Sequence, residues 1–290
     1  MFRIPKLYAV TLLAVGTLIS RSALACPMFE GLADYNCDQM VKITFLGDSI
    51  VRGVGDSSVK RGGYVGRIAE GYFEDRIVNM GVPGITSNTM FTNLRRNLKR
   101  ANPGKTVRKL RQADRVVLHL GVNDYWLDRG PRFTIRNLKR IVKLLRKEMR
   151  DQYGAKPLIS VSTLLPTARS YQAPFVDAVN AEIKAADSSA LPVQIVHDDF
   201  DLNLLTDDGL HPGPIGYDNL ADKVGKFIRN RANNESQEAH TDTDLDGVYD
   251  FYETHRFGTS ITLSDSDGDG VLDGAEIFEN NTDPLDASDF

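Results

Sequence analysis

Cysteine is scarce in this chain, and its scarcity excludes two classes of protein. Only Cys26 and Cys37 occur among 290 residues, and both lie near the amino terminus. A disulfide-rich scaffold needs several cysteine pairs, and a zinc site built on sulfur needs closely spaced cysteines. The fold must therefore rest on a hydrophobic core, which a chain with 41% hydrophobic residues can supply.

Long hydrophobic runs are also missing, except at the amino terminus. Arg3 and Lys6 precede an apolar run at residues 7–19, and small residues follow it. This order is typical of a secretory signal, and the run is too short to span a bilayer comfortably. We expect residues 1–25 to be a bacterial signal peptide and the mature protein to be secreted or periplasmic. An uncleaved anchor is the alternative.

Cleavage at that point makes Cys26 the first mature residue, where lipoproteins carry their anchor. Arg21 interrupts the apolar run, however, and Ala23 stands where a lipoprotein signal normally has leucine. Two cysteines in an exported chain most simply pair with each other. We expect a Cys26–Cys37 disulfide that pins an amino-terminal arm at residues 26–40, with lipid anchoring through Cys26 as the second interpretation.

Basic residues are almost absent from the carboxyl-terminal stretch. Residues 240–290 hold 11 aspartates and 3 glutamates against the single Arg256, a net charge of −13. Because the whole chain carries −4, the remainder carries +9. This asymmetry indicates two modules with different chemistry. We expect a main domain at residues 41–231, a polar linker at residues 232–240 and an acidic module at residues 241–290.

Short apolar runs alternate with segments of helical periodicity in the main domain. The runs predict strands near residues 41–46, 76–80, 115–120, 158–161 and 193–196. The connections between them are long enough for helical crossovers, which indicates a parallel sheet with helices on both faces. The sequence therefore predicts an α/β fold with a parallel five-stranded sheet.

The first predicted strand runs into a Gly-Asp-Ser sequence whose serine is Ser49. Ligands bind at the carboxyl edge of such sheets, so a serine delivered there is a candidate nucleophile. A serine that attacks an acyl carbon needs a base for its proton and an acid that orients the base. His211 can be that base. Asp208, three residues earlier in a polar loop, can be the acid, and Asp207 is its rival.

The same edge offers donors for a developing oxyanion. The backbone N–H groups of Ser49 and Gly84 and the side-chain amide of Asn123 all follow predicted strands, and a loop glycine lets the backbone approach a substrate closely. His119 and His197 lie in or beside apolar strands, and we expect them to be core histidines.

Four short blocks of the domain resemble those of the SGNH hydrolases, also called GDSL-type esterases and lipases, over roughly residues 41–230. They are residues 47–49, 79–84, 121–124 and 208–211. The resemblance implies a flavodoxin-like three-layer α/β/α fold and ester hydrolysis through an acyl-enzyme, with no cofactor in catalysis. It gives the same roles to the candidate residues above.

The substrate pocket is less well specified by the sequence. The family's opening motif usually ends in leucine, whereas this chain has Ile50, which a hydrophobic pocket is expected to accept. Tyr125 and Trp126 follow Asn123 directly and are further candidates for the pocket wall.

A loop pattern occurs twice in the acidic module, 23 residues apart. Each copy has carboxylates at positions 1, 3, 5, 9 and 12 and glycine at position 6, the arrangement that wraps oxygen ligands around Ca²⁺. The predicted ligands are Asp242, Asp244, Asp246, Asp250, Glu253, Asp265, Asp267, Asp269, Asp273 and Glu276. The spacing leaves little room for full EF-hands, and the module resembles bacterial thrombospondin type 3 repeats. That resemblance implies a calcium-organised module with little apolar core, in which sharing of ligands between repeats stays open.

Together these features predict an exported serine esterase that acts on short acyl groups, such as acetyl, on carbohydrate. The alternatives are a lysophospholipase or another lipid or thioester hydrolase, and an O-acyltransferase. A non-enzymatic alternative is a calcium-binding surface or adhesion protein with a degenerate hydrolase scaffold. The basic helix faces lack interleaved aromatic residues, so no nucleic-acid partner is expected. The tail is a candidate for cell-surface or matrix contact, and no oligomeric state is predicted.

Overall fold

The computed structural model describes residues 28–29, 31–36, 40–57, 62–72, 76–102, 104–149, 156–238 and 241–289. The predicted signal peptide and both cysteines lie outside these residues, and so do the predicted disulfide and lipidation site. Among the described helices, none combines the length and the apolar character that crossing a membrane requires.

Within the described residues, seven short strands form two sheets. Strands β1 (Met28–Phe29) and β2 (Leu32–Ala33) pair antiparallel in the amino-terminal arm. The central sheet contains β3 Ile43–Gly47, β4 Ile77–Gly81, β5 Arg115–His119, β6 Leu158–Ser162 and β7 Val193–Ile195.

The strands of the central sheet lie in the order β4-β3-β5-β6-β7, and every neighbouring pair is parallel. Gly47, at the end of β3, pairs with Gly81 of β4 and His119 of β5, so these three strands end at the same level. All residues of β3 and β5 are buried, as expected for strands covered on both faces. The predicted α/β fold with a parallel sheet is confirmed.

Helices connect the strands and cover the sheet. They are α1 Ser49–Arg52, α2 Gly63–Tyr72, α3 Ser87–Leu98, α4 Lys105–Arg111, α5 Pro131–Glu148, α6 Ala173–Lys184 and α7 Pro214–Glu238. In the part of the chain that the structure describes, two 3₁₀ helices, Val122–Leu127 and Leu202–Leu204, lie in loops after β5 and β7.

Two hydrophobic clusters give the domain three layers. On one face, α3, α4, α5 and α6 pack on the sheet through side chains such as Leu94, Leu138 and Val179. On the other face, α1, α2 and α7 contribute side chains such as Ile68 and Leu220. The apolar stripe of each helix therefore faces the sheet and its polar side faces solvent.

Helix α7 differs from the predicted boundary. We expected a polar linker at residues 232–240, and the helical backbone continues into this stretch as far as Glu238. Residues 232–238 contain neither proline nor glycine, so nothing in that stretch ends a helix that began at Pro214. The stretch predicted as a linker is therefore helical as far as Glu238, and residues 239 and 240 lie outside the described part.

The acidic module repeats in structure as well as in sequence. Helix α8 (Asp250–Tyr252) runs into a π-helical turn at Glu253–Phe257, and α9 (Asp273–Ala275) runs into another at Glu276–Asn280. Each aspartate that opens a loop accepts two backbone hydrogen bonds across it, Asp242 from Leu245 and Gly247, and Asp265 from Gly268 and Gly270. The two loops therefore have the same fold.

The acidic module packs against the amino-terminal arm. Phe251 and Tyr252 share an apolar cluster with Tyr35, whose ring centroid lies 6.2 Å from that of Phe251. Buried Arg256 donates from Nη1 to the backbone oxygen of Tyr35 at 2.5 Å. Leu158, the first residue of β6, packs on the same cluster, so the contact lies at the amino end of that strand. The expectation of little apolar core needs correction, because the module completes a core that it shares with the arm.

We predict that Phe251→Ala lowers the free energy of unfolding by about 3–5 kcal/mol, because it removes a buried ring between the module and the arm. Chemical denaturation at constant calcium measures the effect. Leu245→Ala, at a side chain that is 82% exposed in the same module, is the control and should change little. Equal midpoints for the two variants would contradict the docking of the module.

Candidate active site

The chain leaves β3 at a point where only glycine fits. A Cβ on Gly47 would lie 2.3 Å from the backbone oxygen of His119 in the neighbouring strand. The next residue, Asp48, is the N-cap of α1 and accepts a hydrogen bond from the backbone N–H of Ile50 at 3.0 Å. Ser49 is thereby fixed as the first helical residue at the carboxyl edge of the sheet.

Ser49, His211 and Asp208 form one chain of hydrogen bonds. Nε2 of His211 lies 2.8 Å from Oγ of Ser49, and Nδ1 lies 2.5 Å from Oδ2 of Asp208. The other carboxylate oxygen of Asp208 accepts from the backbone N–H groups of Leu210 and His211 at 2.8 and 2.9 Å. The structure thus joins the three predicted residues, and the imidazole partner is Asp208, not its rival Asp207.

The loop around Asp208 keeps this carboxyl ionised. Burial raises the pKa of Asp208, but the hydrogen bonds from the His211 side chain and from two backbone N–H groups outweigh it and hold the pKa well below its usual range. An ionised carboxylate here can orient His211 and stabilise a positive charge on it.

Arg169 also contacts this loop. Its Nε donates to the backbone oxygen of Asp208 at 2.6 Å, and its Nη2 lies 3.6 Å from Oδ2 of the same residue. Arg169 was not predictable from the sequence, because a single arginine in a polar loop belongs to no motif and no periodic pattern.

The two other predicted oxyanion donors lie on the loops after β4 and β5. Gly84 has a φ of +74°, which glycine adopts readily, and nothing lies within 4 Å of where its Cβ would stand. Nδ2 of Asn123 donates to the backbone oxygen of Ile85 at 3.1 Å, and the amide group carries a second N–H. The N–H of Ser49 belongs to the first turn of α1, where backbone donors have no intrahelical acceptor.

A buried carboxylate ties the two donor loops together. Asp124 accepts hydrogen bonds from the backbone N–H of Ser87 at 2.8 Å and from Oγ1 of Thr134 at 2.8 Å, and its Oδ2 lies 2.5 Å from Oγ of Ser87. Ser87 begins α3 directly after the Gly84 loop, and Asp124 follows Asn123. The network therefore fixes the spacing between the two donors.

Residues 45–218 match the model of the GDSL-like lipase/acylhydrolase family, and this segment is more than half of the chain. The chain belongs to this family. No curated protein sequence matches it. As a GDSL hydrolase, the protein is a carboxylic ester hydrolase.

Solved structures resemble this GDSL hydrolase. A lipolytic protein of the G-D-S-L family from Veillonella parvula has a TM-score of 0.50 at 19% identity, over 64% of this chain and 97% of its own. The lipase/acylhydrolase from Enterococcus faecalis scores 0.49 at 23% identity, over 66% and 97% of the two chains. A carbohydrate esterase family 3 protein from Talaromyces cellulolyticus scores 0.49 at 18% identity, over 67% and 99%. The first likeness shows the fold.

The three predicted pocket residues of the GDSL hydrolase differ in how far they are exposed to solvent. Ile50 is 2% exposed and belongs to the core between α1, α2 and α7, so the prediction that it lines a pocket is wrong. Trp126 is 64% exposed on the 3₁₀ helix that carries Asn123, with Tyr125 beside it. Tyr171, which no sequence motif marked as a pocket residue, has its ring centroid 6.3 Å from that of Trp126. An exposed aromatic surface therefore adjoins the serine edge.

Behind the nucleophile lies a group of buried polar side chains. The rings of His119 and His197 stack with centroids 5.2 Å apart, and both are buried as core histidines. Burial lowers the pKa of His119 to about 4. Burial also raises the pKa of Asp48 to about 7, although hydrogen bonds from the backbone N–H groups of Ile50 and Gly121 act in the opposite direction.

A second candidate site lies in the acidic module. Three groups of carboxylates have oxygens within 4.8 Å of one another, and they are Asp242, Asp244 and Asp246; Asp246, Glu253 and Asp273; and Asp265, Asp267 and Asp269. The middle group combines residues of both repeats. Burial, with the neighbouring Asp244 and Asp246, raises the pKa of Glu253 to about 8.

Two predicted ligands lie outside these three groups. The carboxylate of Asp250 accepts from the backbone N–H and the hydroxyl of Thr243, so it closes its loop. Glu276 accepts from the hydroxyl of Thr282 at 3.2 Å, and its other oxygen is buried.

We predict that Asp48→Asn makes the stability of the folded protein less sensitive to rising pH. Because the pKa of Asp48 is raised by folding, the folded state holds a proton that the unfolded chain has released between about pH 4 and pH 7, and stability falls as pH rises through this window. Asparagine cannot ionise, yet its side-chain oxygen can still accept from Ile50. The melting temperature of the variant minus that of the wild type should increase as the pH is raised through this window.

Asp207→Asn, at an exposed carboxylate of the catalytic loop, is the control and should follow the wild type. A constant difference between Asp48→Asn and the wild type at all pH values would show that Asp48 does not titrate in this window.

Proposed function

We propose that this GDSL hydrolase is an exported serine esterase that works through an acyl-enzyme. One observation carries the proposal, the hydrogen-bond chain from Oγ of Ser49 through His211 to Asp208, with spacings of 2.8 and 2.5 Å. A serine hydroxyl is a weak nucleophile, and an adjacent base held by a carboxylate activates it. Export is supported by the signal-like pattern of residues 1–25.

In the first half of the reaction, Oγ of Ser49 bonds to the ester carbonyl carbon while Nε2 of His211 takes its proton. Asp208 stabilises the imidazolium that forms. The carbonyl oxygen gains negative charge and faces the N–H groups of Ser49 and Gly84 and the amide of Asn123. The proton then passes from His211 to the departing alcohol, and the acyl group stays on Ser49. In the second half, a water molecule bonds to the acyl carbon while Nε2 of His211 takes its proton. His211 then returns that proton to Oγ of Ser49 as the bond between Oγ and the acyl carbon breaks, and the carboxylic acid leaves.

The first candidate for the substrate is a carbohydrate that carries a short acyl group, such as acetyl, as an ester. Exposed aromatic rings at the serine edge support this choice, because Trp126 and Tyr171 offer large flat contact surfaces at low entropic cost. A lipid ester is the second candidate. It is favoured by further large apolar side chains that are exposed after the strand ends. Val54, Val82, Leu127 and Leu202 lie in the loops, and Ile215 lies at the start of α7.

We predict that Ser49→Ala and His211→Ala each lower the turnover of a small soluble ester such as 4-nitrophenyl acetate by several orders of magnitude, since the pair acts as a unit. Asn123→Ala should reduce the rate about 10²–10³-fold, the usual loss for one oxyanion donor. Steady-state kinetics measures all three. Asp207→Ala is the control and should keep nearly full activity. Undiminished turnover by the Ser49→Ala variant would contradict the mechanism.

The acidic module is proposed to bind Ca²⁺ in a structural role. Its donor set consists of carboxylate oxygens, the ligands that hard cations such as Ca²⁺ prefer. Several of these oxygens are buried and have no hydrogen-bond partner among the described residues, a costly state that a cation would relieve. They belong to Asp244, Asp246, Glu253, Asp267, Asp269 and Glu276. The three groups of carboxylates would bind the ions. The positive charge of the ions would neutralise the repulsion between the carboxylates.

We predict that chelation by EDTA makes the module protease-sensitive while hydrolysis of 4-nitrophenyl acetate continues nearly unchanged, because the serine mechanism needs no metal. Calorimetric titration should show that Asp246→Asn, which changes a member of two carboxylate groups, weakens calcium affinity about tenfold or more. Asp286→Asn, at an exposed aspartate outside these groups, is the control. Loss of esterase activity on chelation would instead indicate a metal in the catalytic domain.

A further inference from the structure

Positive charge is concentrated in one stretch of this acidic protein. Residues 82–147 hold 17 lysines and arginines against three aspartates and no glutamate, whereas the whole chain has a net charge of −4. Two of these aspartates, Asp114 and Asp124, are buried. The surface that this stretch presents to solvent is therefore almost purely cationic.

The charge lies on one face of the sheet, and part of it lines a groove. Helices α3, α4 and α5 all pack on the same side. On α5 the groove has a volume of about 390 Å³, and Glu182 of α6 is its only acidic side chain among the described residues. Its basic side chains are Arg132, Arg136, Lys139, Arg140 and Lys143.

The groove begins close to the catalytic edge. Arg132 is the second residue of α5, and α5 starts four residues after the 3₁₀ helix that carries Asn123 and Trp126. A helix that follows a strand in a parallel sheet runs back from the carboxyl edge, so the row from Arg132 to Lys143 leads away from the serine. Eleven residues of helix extend it about 16 Å.

Two kinds of polyanionic partner fit this face poorly. Single-stranded nucleic acid needs open aromatic rings for stacking, but Arg140 covers the ring of Phe91 at 3.9 Å from its centroid and Arg136 lies over Phe133 at 5.4 Å. Stable binding to a membrane surface adds exposed apolar side chains that enter the bilayer to the attraction between charges. None of the large apolar side chains on α3, α4 or α5 is exposed.

We propose that this groove binds an anionic polysaccharide, and that the ester cleaved at Ser49 is carried by such a polymer. Acidic sugar units would lie along the row of cations on α5, and an acylated unit would reach the serine past Trp126. The proposal rests on the esterase function proposed above and specifies its substrate. Charge attraction of this kind raises the local concentration of substrate and weakens as salt is added.

The test compares an O-acetylated polyuronate, an O-acetylated neutral glucan and 4-nitrophenyl acetate as substrates at low salt. The variant combines Arg132→Gln, Arg136→Gln and Lys143→Gln, all at exposed positions where substitution changes stability little. It should raise the KM for the polyuronate about tenfold and leave kcat nearly unchanged. Hydrolysis of the glucan and of 4-nitrophenyl acetate should not change.

A matched control removes the same amount of charge at lysines that do not line the groove. Its substitutions are Lys184→Gln, Lys223→Gln and Lys226→Gln, at lysines paired with Asp198, Asp199 and Asp222. The control should keep the wild-type KM for the polyuronate. Equal KM values for the groove variant and the control would overturn the proposal, because net charge alone would then explain any change.

Binding without catalysis separates this proposal from the esterase mechanism. Unacetylated polyuronate should bind the Ser49→Ala protein in titration calorimetry, and the groove substitutions should abolish most of that binding. A failed esterase mechanism would appear as Ser49-independent turnover and leave this result intact. Binding of anionic vesicles or single-stranded DNA that depends on the groove, with no binding of polyuronate, would assign the groove to a different partner.

Discussion

The active-site edge depends on three neighbouring strands that end at the same level. Gly47, Gly81 and His119 are register partners, so the loops after β3, β4 and β5 leave the sheet side by side. Helix α1 packs directly on these ends, and a Cβ on Gly81 would lie 2.3 Å from the backbone nitrogen of Arg52, the last residue of α1. Without glycine at the ends of β3 and β4 the helix could not approach so closely. Ser49 would then be displaced from the loops that carry the oxyanion donors.

Two aspartates at this edge have their pKa values shifted in opposite directions by their surroundings. Asp208 receives hydrogen bonds from an imidazole and two backbone N–H groups, which outweigh its burial and lower its pKa. Asp48 is more deeply buried, and desolvation raises its pKa to about 7 despite its backbone donors. The first carboxyl is suited to orient a charged histidine. The second caps a helix, a task that a neutral acid can also perform.

Local patterns in the sequence were sufficient for the strands and for the hydrogen-bonded set of Ser49, Asp208 and His211. Short apolar runs specify buried strands, and the spacing of three residues places Asp208 and His211 on one turn. Local patterns did not predict that the side chain of Ile50 points into the core. A helix that starts at Ser49 turns the next side chain toward the core, and a motif gives the order of residues but not where they point. Arg169, Tyr171 and the docking of the acidic module depend on contacts between distant segments, which no local pattern encodes.

The overall charge of −4 conceals two strongly charged surfaces of opposite sign. The acidic module carries −13 and packs at the amino end of β6, whereas the cationic face begins at the catalytic edge. Screening limits each field to about 8–10 Å at physiological salt, so the negative module does little to cancel the attraction of a polyanion to α5. The proposed calcium ions would also change this balance, because each would add two positive charges to the module and leave the groove as it is. The negative module would therefore repel a polyanionic substrate less in the calcium-loaded protein than in the calcium-free one.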